Sequence, residues 1–135
     1  MNQSFNLYLH TFSLRFRLRH HLDFDALAFI DLAADEGFQG VCLSANGPNY
    51  RDLGSMEPSR FAQIKAHLAK RGLRCDLDTS GTDPRHLQTL LGVAQALGAK
   101  KLRTYTRYNG TPDELVAWSI RDLQAIAPLA AEMGP

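Results

Sequence analysis

A chain of 135 residues is long enough for one compact domain with its own hydrophobic core and too short for two ordinary ones. Its hydrophobic share of 44% and charged share of 21% are those of a soluble globular protein, and a formal net charge of +1 gives no field that would recruit nucleic acid or an anionic membrane. Cys42 and Cys75 each sit in an apolar run rather than a spaced disulfide framework, no signal-peptide pattern precedes Phe5, and no apolar run approaches the roughly 20 residues of a membrane span, so a reduced, cytoplasmic protein is expected.

A first strand is expected over residues 6–12. After it, the segment from Leu14 to Leu22 alternates basic and apolar residues and reads as a loop, its apolar side chains on a rim or partner and its arginines solvated; a phosphate site is the alternative. Asp25 can cap a first helix with an apolar stripe of Leu27, Ile30, Ala33 and Ala34, stopped by Gly37. A second strand follows over 40–44, then turn chemistry at Asn46-Gly47-Pro48-Asn49-Tyr50.

The second helix carries Phe61, Ile64 and Leu68 up to Gly72, and a third strand occupies 73–78. Asp83-Pro84 opens a third helix through Leu87, Leu90, Leu91, Ala94 and Leu97, which Gly98 ends. A fourth strand is expected over 101–106, and Tyr108-Asn109-Gly110 forms a turn. Thr111-Pro112-Asp113-Glu114 is a capping box for a last helix that runs through Trp118 and Ile126 to Gly134.

Four strands alternating with helices imply a parallel sheet with right-handed crossovers. Period-2 reading puts Leu7, Leu9, Val41, Leu43, Leu73, Cys75, Leu77, Leu102 and Thr104 on one face, suited to helix packing. The other face carries Tyr8, His10, Cys42, Ser44, Arg74, Asp76, Asp78, Arg103 and Tyr105, too polar to lie under a second helical layer. The expected fold is therefore α/β, a (βα)4 half of a TIM (βα)8 barrel, as one domain over 1–135 in which strands five to eight are absent.

The order Leu9-His10-Thr11-Phe12-Ser13 followed by Ala34-Asp35-Glu36-Gly37-Phe38-Gln39-Gly40-Val41 resembles the opening of the sugar phosphate isomerase/epimerase family with xylose isomerase-like TIM barrels. Ala94-Gln95-Ala96-Leu97-Gly98 before Leu102-Arg103, and Leu129-Ala130-Ala131-Glu132-Met133-Gly134, look like that family's third helix with its fourth strand and the end of its fourth helix. The resemblance implies proton transfer beside a carbonyl, assisted by a divalent metal (Mn or Zn). It also implies metal ligands mainly on strands five to eight, so no metal is expected on this chain alone. Cys42 stands where many relatives carry a carboxylate.

In a βα barrel, reactive groups collect at the carboxyl ends of strands. That places His10 as the candidate catalytic residue, matching the family's first-strand histidine, or else as a hydrogen-bonded lumen histidine. Arg103 and Tyr105 can grip sugar or phosphate oxygens together, unless Arg103 pairs with Asp76 or Asp78. Ser44, Asn46 and Asp78 are further substrate-binding candidates and Arg107 borders them, whereas Asp76 with Asp78 reads as structural before it reads as a cation site. Adjacent His20 and His21 diverge and suit one metal poorly.

The expected function is a fragment or subunit of a sugar or sugar phosphate isomerase/epimerase, inactive alone. The alternative is an assembly module that forms a homodimer or pairs with a C-terminal half-barrel. An endonuclease IV-type phosphodiesterase fits less well, because strands three and four end without histidine.

Overall fold

The computed structural model describes residues 5–46 and 57–134. Strands β1 (Tyr8–His10), β2 (Gly40–Ser44), β3 (Arg74–Asp78) and β4 (Leu102–Arg103) form one sheet in the order β1-β2-β3-β4, every neighbour parallel. A 3-10 turn (Thr11–Leu14) and α1 (Arg15–His20) follow β1, ahead of α2 (Ala26–Asp35), α3 (Pro58–Arg71), α4 (Pro84–Leu97) and α5 (Pro112–Glu132). Sequential order, parallel pairing and a helix after each strand are those of half of a TIM barrel.

Local chemistry sets the helix limits. Asp25 accepts the Ala28 amide at 2.9 Å, Asp83 accepts that of His86 at 3.0 Å, and Thr111 with Glu114 completes both arms of a capping box. Gly72 and Gly98 end α3 and α4 in the left-handed region, at φ 68° and 72°.

The core lies between the sheet and the helices: Val41, Leu43, Cys75 and Leu77 meet Phe29, Ile30, Ala33, Phe61, Ile64, Leu90 and Val93, all buried. The alternate positions of the strands stay out of that apolar cluster; Tyr8, His10, Cys42 and Asp76 are half-buried, Ser44 and Asp78 buried, and Arg74 and Arg103 exposed.

Several expectations need correcting. The first strand spans three residues, because the chain turns into the 3-10 segment at Thr11, whose hydroxyl accepts the Ser44 amide at 3.0 Å. The segment after it is not a loop: residues 15–20 are helical, with Leu18 buried and Arg17 lying over the Phe24 ring. Leu7, expected against the helices, precedes β1 and is 63% exposed. The fourth strand is limited to Leu102–Arg103, since only β3 flanks it among the described residues. Positions 47–50 of the expected turn lie outside the described residues.

Candidate functional site

At the carboxyl ends of the strands the chain forms an open groove of about 810 Å³. Parallel register explains the assembly: Ser44, Asp78 and Arg103 stand side by side on β2, β3 and β4, and His10 ends β1 beside Cys42. Of the strand-end residues singled out from the sequence, His10, Ser44, Asn46, Asp78, Arg103, Tyr105 and Arg107 line this one groove, and Asp76 does not.

Asp78 is its centre. The side chain is 8% exposed, His10 Nε2 lies 3.4 Å from Oδ2, and Arg103 Nε lies 3.7 Å from Oδ1. Oδ1 is buried without a hydrogen-bond partner among the described residues, although a buried acceptor left unmade costs about 1–3 kcal/mol. His10 Nδ1 accepts the Phe12 amide at 2.9 Å, which in the neutral ring assigns the proton to Nε2, the nitrogen facing Asp78. Arg103 is 69% exposed at its side chain, so its remaining donors are open to a ligand.

A second set of contacts shapes the rim. Asn46 Oδ1 accepts the Ser80 hydroxyl at 2.9 Å, and Arg107 donates to Ser80 Oγ at 3.2 Å, linking the loops after β2, β3 and β4. Below the rim, Asp122 on α5 is 3% exposed; its carboxylate accepts Thr82 Oγ1 at 2.9 Å, the Tyr108 hydroxyl and the Arg121 guanidinium. Burial pushes the Asp122 carboxyl up, but the hydrogen bonds from Tyr108, Arg121 and Thr82 outweigh it and hold the carboxyl below its ordinary value. Sequence reasoning missed this anchor, and its signal was a carboxylate four residues from both Trp118 and Ile126 on the inward stripe of the last helix.

Other candidates stand elsewhere. Asp76 lies one layer below the groove in register with Cys42, and its carboxyl is raised by burial, with Lys101 opposing the shift. Burial, and then the charges of Asp78 and Asp76, push the Cys42 thiol up to about 12, so it stays protonated and is a poor nucleophile at neutral pH. None of the arginines of α1 lines the groove; Arg15 lies over the Phe12 and Phe16 rings.

The donor set does not fit a metal by itself. Among the described residues no cluster of at least three His, Cys, Asp or Glu side chains could hold an ion; His10 and Asp78 supply two donors. No helix among them is long and apolar enough to cross a membrane.

No family model matches the chain. It is 25% identical over 130 residues to the uncharacterized protein YihM of Escherichia coli (strain K12), a match that spans 95% of this chain and 39% of YihM. Its structure is similar to that of a xylose isomerase domain-containing protein from Salmonella typhimurium LT2, with a TM-score of 0.67 and 20% identity, across 98% of this chain and 48% of that one. The fold is that of about half of that xylose isomerase-like domain, and the chain spans less than half the length of either relative.

Proposed function

We propose that this chain is the substrate-orienting half of a sugar isomerase/epimerase-like barrel enzyme, inactive alone, whose groove receives a sugar or sugar phosphate. The observation that carries the reading is the buried Oδ1 of Asp78 at the carboxyl end of a barrel strand, without a hydrogen-bond partner among the described residues and flanked by His10 and Arg103. A substrate hydroxyl donating to Oδ1 satisfies that acceptor. The exposed Arg103 guanidinium donates to a second substrate oxygen or to a phosphate, and Tyr105 closes the same side. His10, with Nδ1 fixed by the Phe12 amide, presents Nε2–H to the substrate oxygen that displaces Asp78 Oδ2 from it.

On this reading the ligands of the Mn or Zn that such enzymes use, and the base that takes the proton beside the carbonyl, come from the other half of the barrel. Titrating the folded chain with aldoses, ketoses and their phosphates, followed by calorimetry and by the His10 ring resonances, tests the proposal. Saturable binding is expected, weakened about tenfold in Asp78→Asn and in Arg103→Ala, an amount equal to one lost hydrogen bond to a charged group. Absence of binding to every sugar and sugar phosphate, or affinity indifferent to both substitutions, overturns it.

A further inference from the structure

One cation at the rim of the groove has no counter-charge. Arg107 lines the groove and is exposed, and among the described residues no carboxylate pairs with it. Its Nη1 donates to Ser80 Oγ at 3.2 Å, and Ser80 donates in turn to Asn46 Oδ1 at 2.9 Å, so the guanidinium is tethered by a neutral hydroxyl. A guanidinium carries five N–H donors in a planar fork, and this tether leaves most of them for a ligand.

Backbone pairing sets Arg107 on the same wall as the other guanidinium of the groove. Beyond β4 the chain keeps the course of the strand: the amides of Leu77, Thr79 and Gly81 donate to the carbonyls of Lys101, Arg103 and Tyr105 at 2.9, 2.9 and 2.7 Å. That ladder advances by two residues on each side, and side chains two apart share a face, which aligns Arg103, Tyr105 and Arg107 along the groove. Arg103 leans to Asp78 and Arg107 to Ser80, two residues further along the neighbouring chain. Two residues of extended chain advance about 7 Å, a spacing similar to that of two guanidinia that hold one anionic group between them.

We propose that Arg107, together with Arg103, selects a ligand with a terminal anion, a phosphate or a carboxylate, and holds that anion at the rim while the ligand's hydroxyls reach down to Asp78. The inference rests on the sugar reading and narrows it to anionic sugars. Charge fixes the orientation, because an anion next to the buried Asp78 carboxylate is repelled, whereas a neutral hydroxyl satisfies Oδ1. The side chains that line the groove agree: with His10 neutral, two guanidinia against one carboxylate leave a surplus positive charge that a neutral sugar does not meet. An anion arriving at Arg107 displaces no ion pair, only a hydroxyl contact.

Calorimetric titration of the folded chain with matched sets of pentoses and hexoses tests the proposal, each set holding the neutral sugar, its terminal phosphate ester and its terminal carboxylic acid. At least one anionic form is expected to bind about tenfold or more tightly than its neutral parent. A phosphate ester tighter than the acid marks sugar phosphates as the class, and the reverse order marks sugar acids; both support the proposal. Arg107→Gln, which keeps a donor for Ser80 but removes the charge, is expected to abolish the preference and leave neutral-sugar affinity unchanged, while Arg107→Lys retains part of it. The comparison among ligands needs no variant, so it decides even if a variant misfolds. Neutral sugars that bind as tightly as both anionic forms, still weakened by Asp78→Asn, overturn this inference and leave the sugar reading standing. An Arg107→Gln effect equal for all three forms makes Arg107 a latch between loops and also overturns it, and no binding in any set overturns both readings.

Discussion

Asp78 occupies a position that stability alone does not explain. A carboxylate 8% exposed, with Oδ1 lacking a hydrogen-bond partner among the described residues, the His10 imidazole at 3.4 Å and the Arg103 guanidinium at 3.7 Å, bears a desolvation cost that loose pairing offsets only in part. Residues kept for ligands commonly cost their host stability in this way. Asp78→Asn, which keeps an acceptor and removes the buried charge, is therefore expected to leave the fold at least as stable as the parent in urea titrations. A loss of more than about 2 kcal/mol would instead mark the carboxylate as a structural partner. Asp122, equally buried, has three donors on its carboxylate and no such surplus. The sequence pointed to Asp78 through its place at a strand end; the facing of His10 and Asp78 across two strands depends on register, which residue types on separate strands do not encode.

At the scale of elements, the best-read parts of the chain were those with local causes. The second strand falls on Gly40–Ser44 as expected, and Asp25, Asp83 and Thr111 cap the helices they were expected to start. The outer strands are shorter than expected, because the β-type alternation at 6–12 and 101–106 promises more pairing than a single described neighbour gives. The short helix after β1 was missed because its alternation of arginine with apolar residues has period 2, while its burial follows Leu18 alone. Packing between strands also explains Gly40, where a Cβ would stand 2.7 Å from the Tyr8 ring and 2.9 Å from the Arg74 carbonyl oxygen. Gly40→Ala is expected to cost about 1–3 kcal/mol in chemical denaturation. Adding Tyr8→Ala should recover only part of that loss, since the backbone contact to β3 remains; full recovery would show that the ring alone requires the glycine.

For the whole molecule, the consequence of building half a barrel is that the helical layer hangs on the sheet from one side and is tied together in part by charged side chains, among which Asp25 is half-buried and Asp122 buried. Asp25 joins the start of α2 to Arg60 of α3 at 2.8 Å, and Asp122 joins α5 to the loops after β3 and β4. In both, burial raises the carboxyl, and hydrogen bonds outweigh it: the Ala28 amide and Arg60 for Asp25, Tyr108, Arg121 and Thr82 for Asp122. Their folded values thus lie below the ordinary 3.8, so the stabilisation they give is present above that pH and is lost as pH falls through the depressed folded values. Asp76, raised by burial, works in the opposite sense, favouring the fold at low pH and ceasing to do so as pH rises through its folded value. Two hydrogen-bonded carboxylates that anchor helices outweigh one that does not, so urea midpoints are expected to fall as the pH is taken below 3.8, with the helical signal of α5 lost first. Asp122→Asn should lower the midpoint at neutral pH and flatten its acid dependence; a variant that keeps the full acid slope would place the anchoring charge elsewhere.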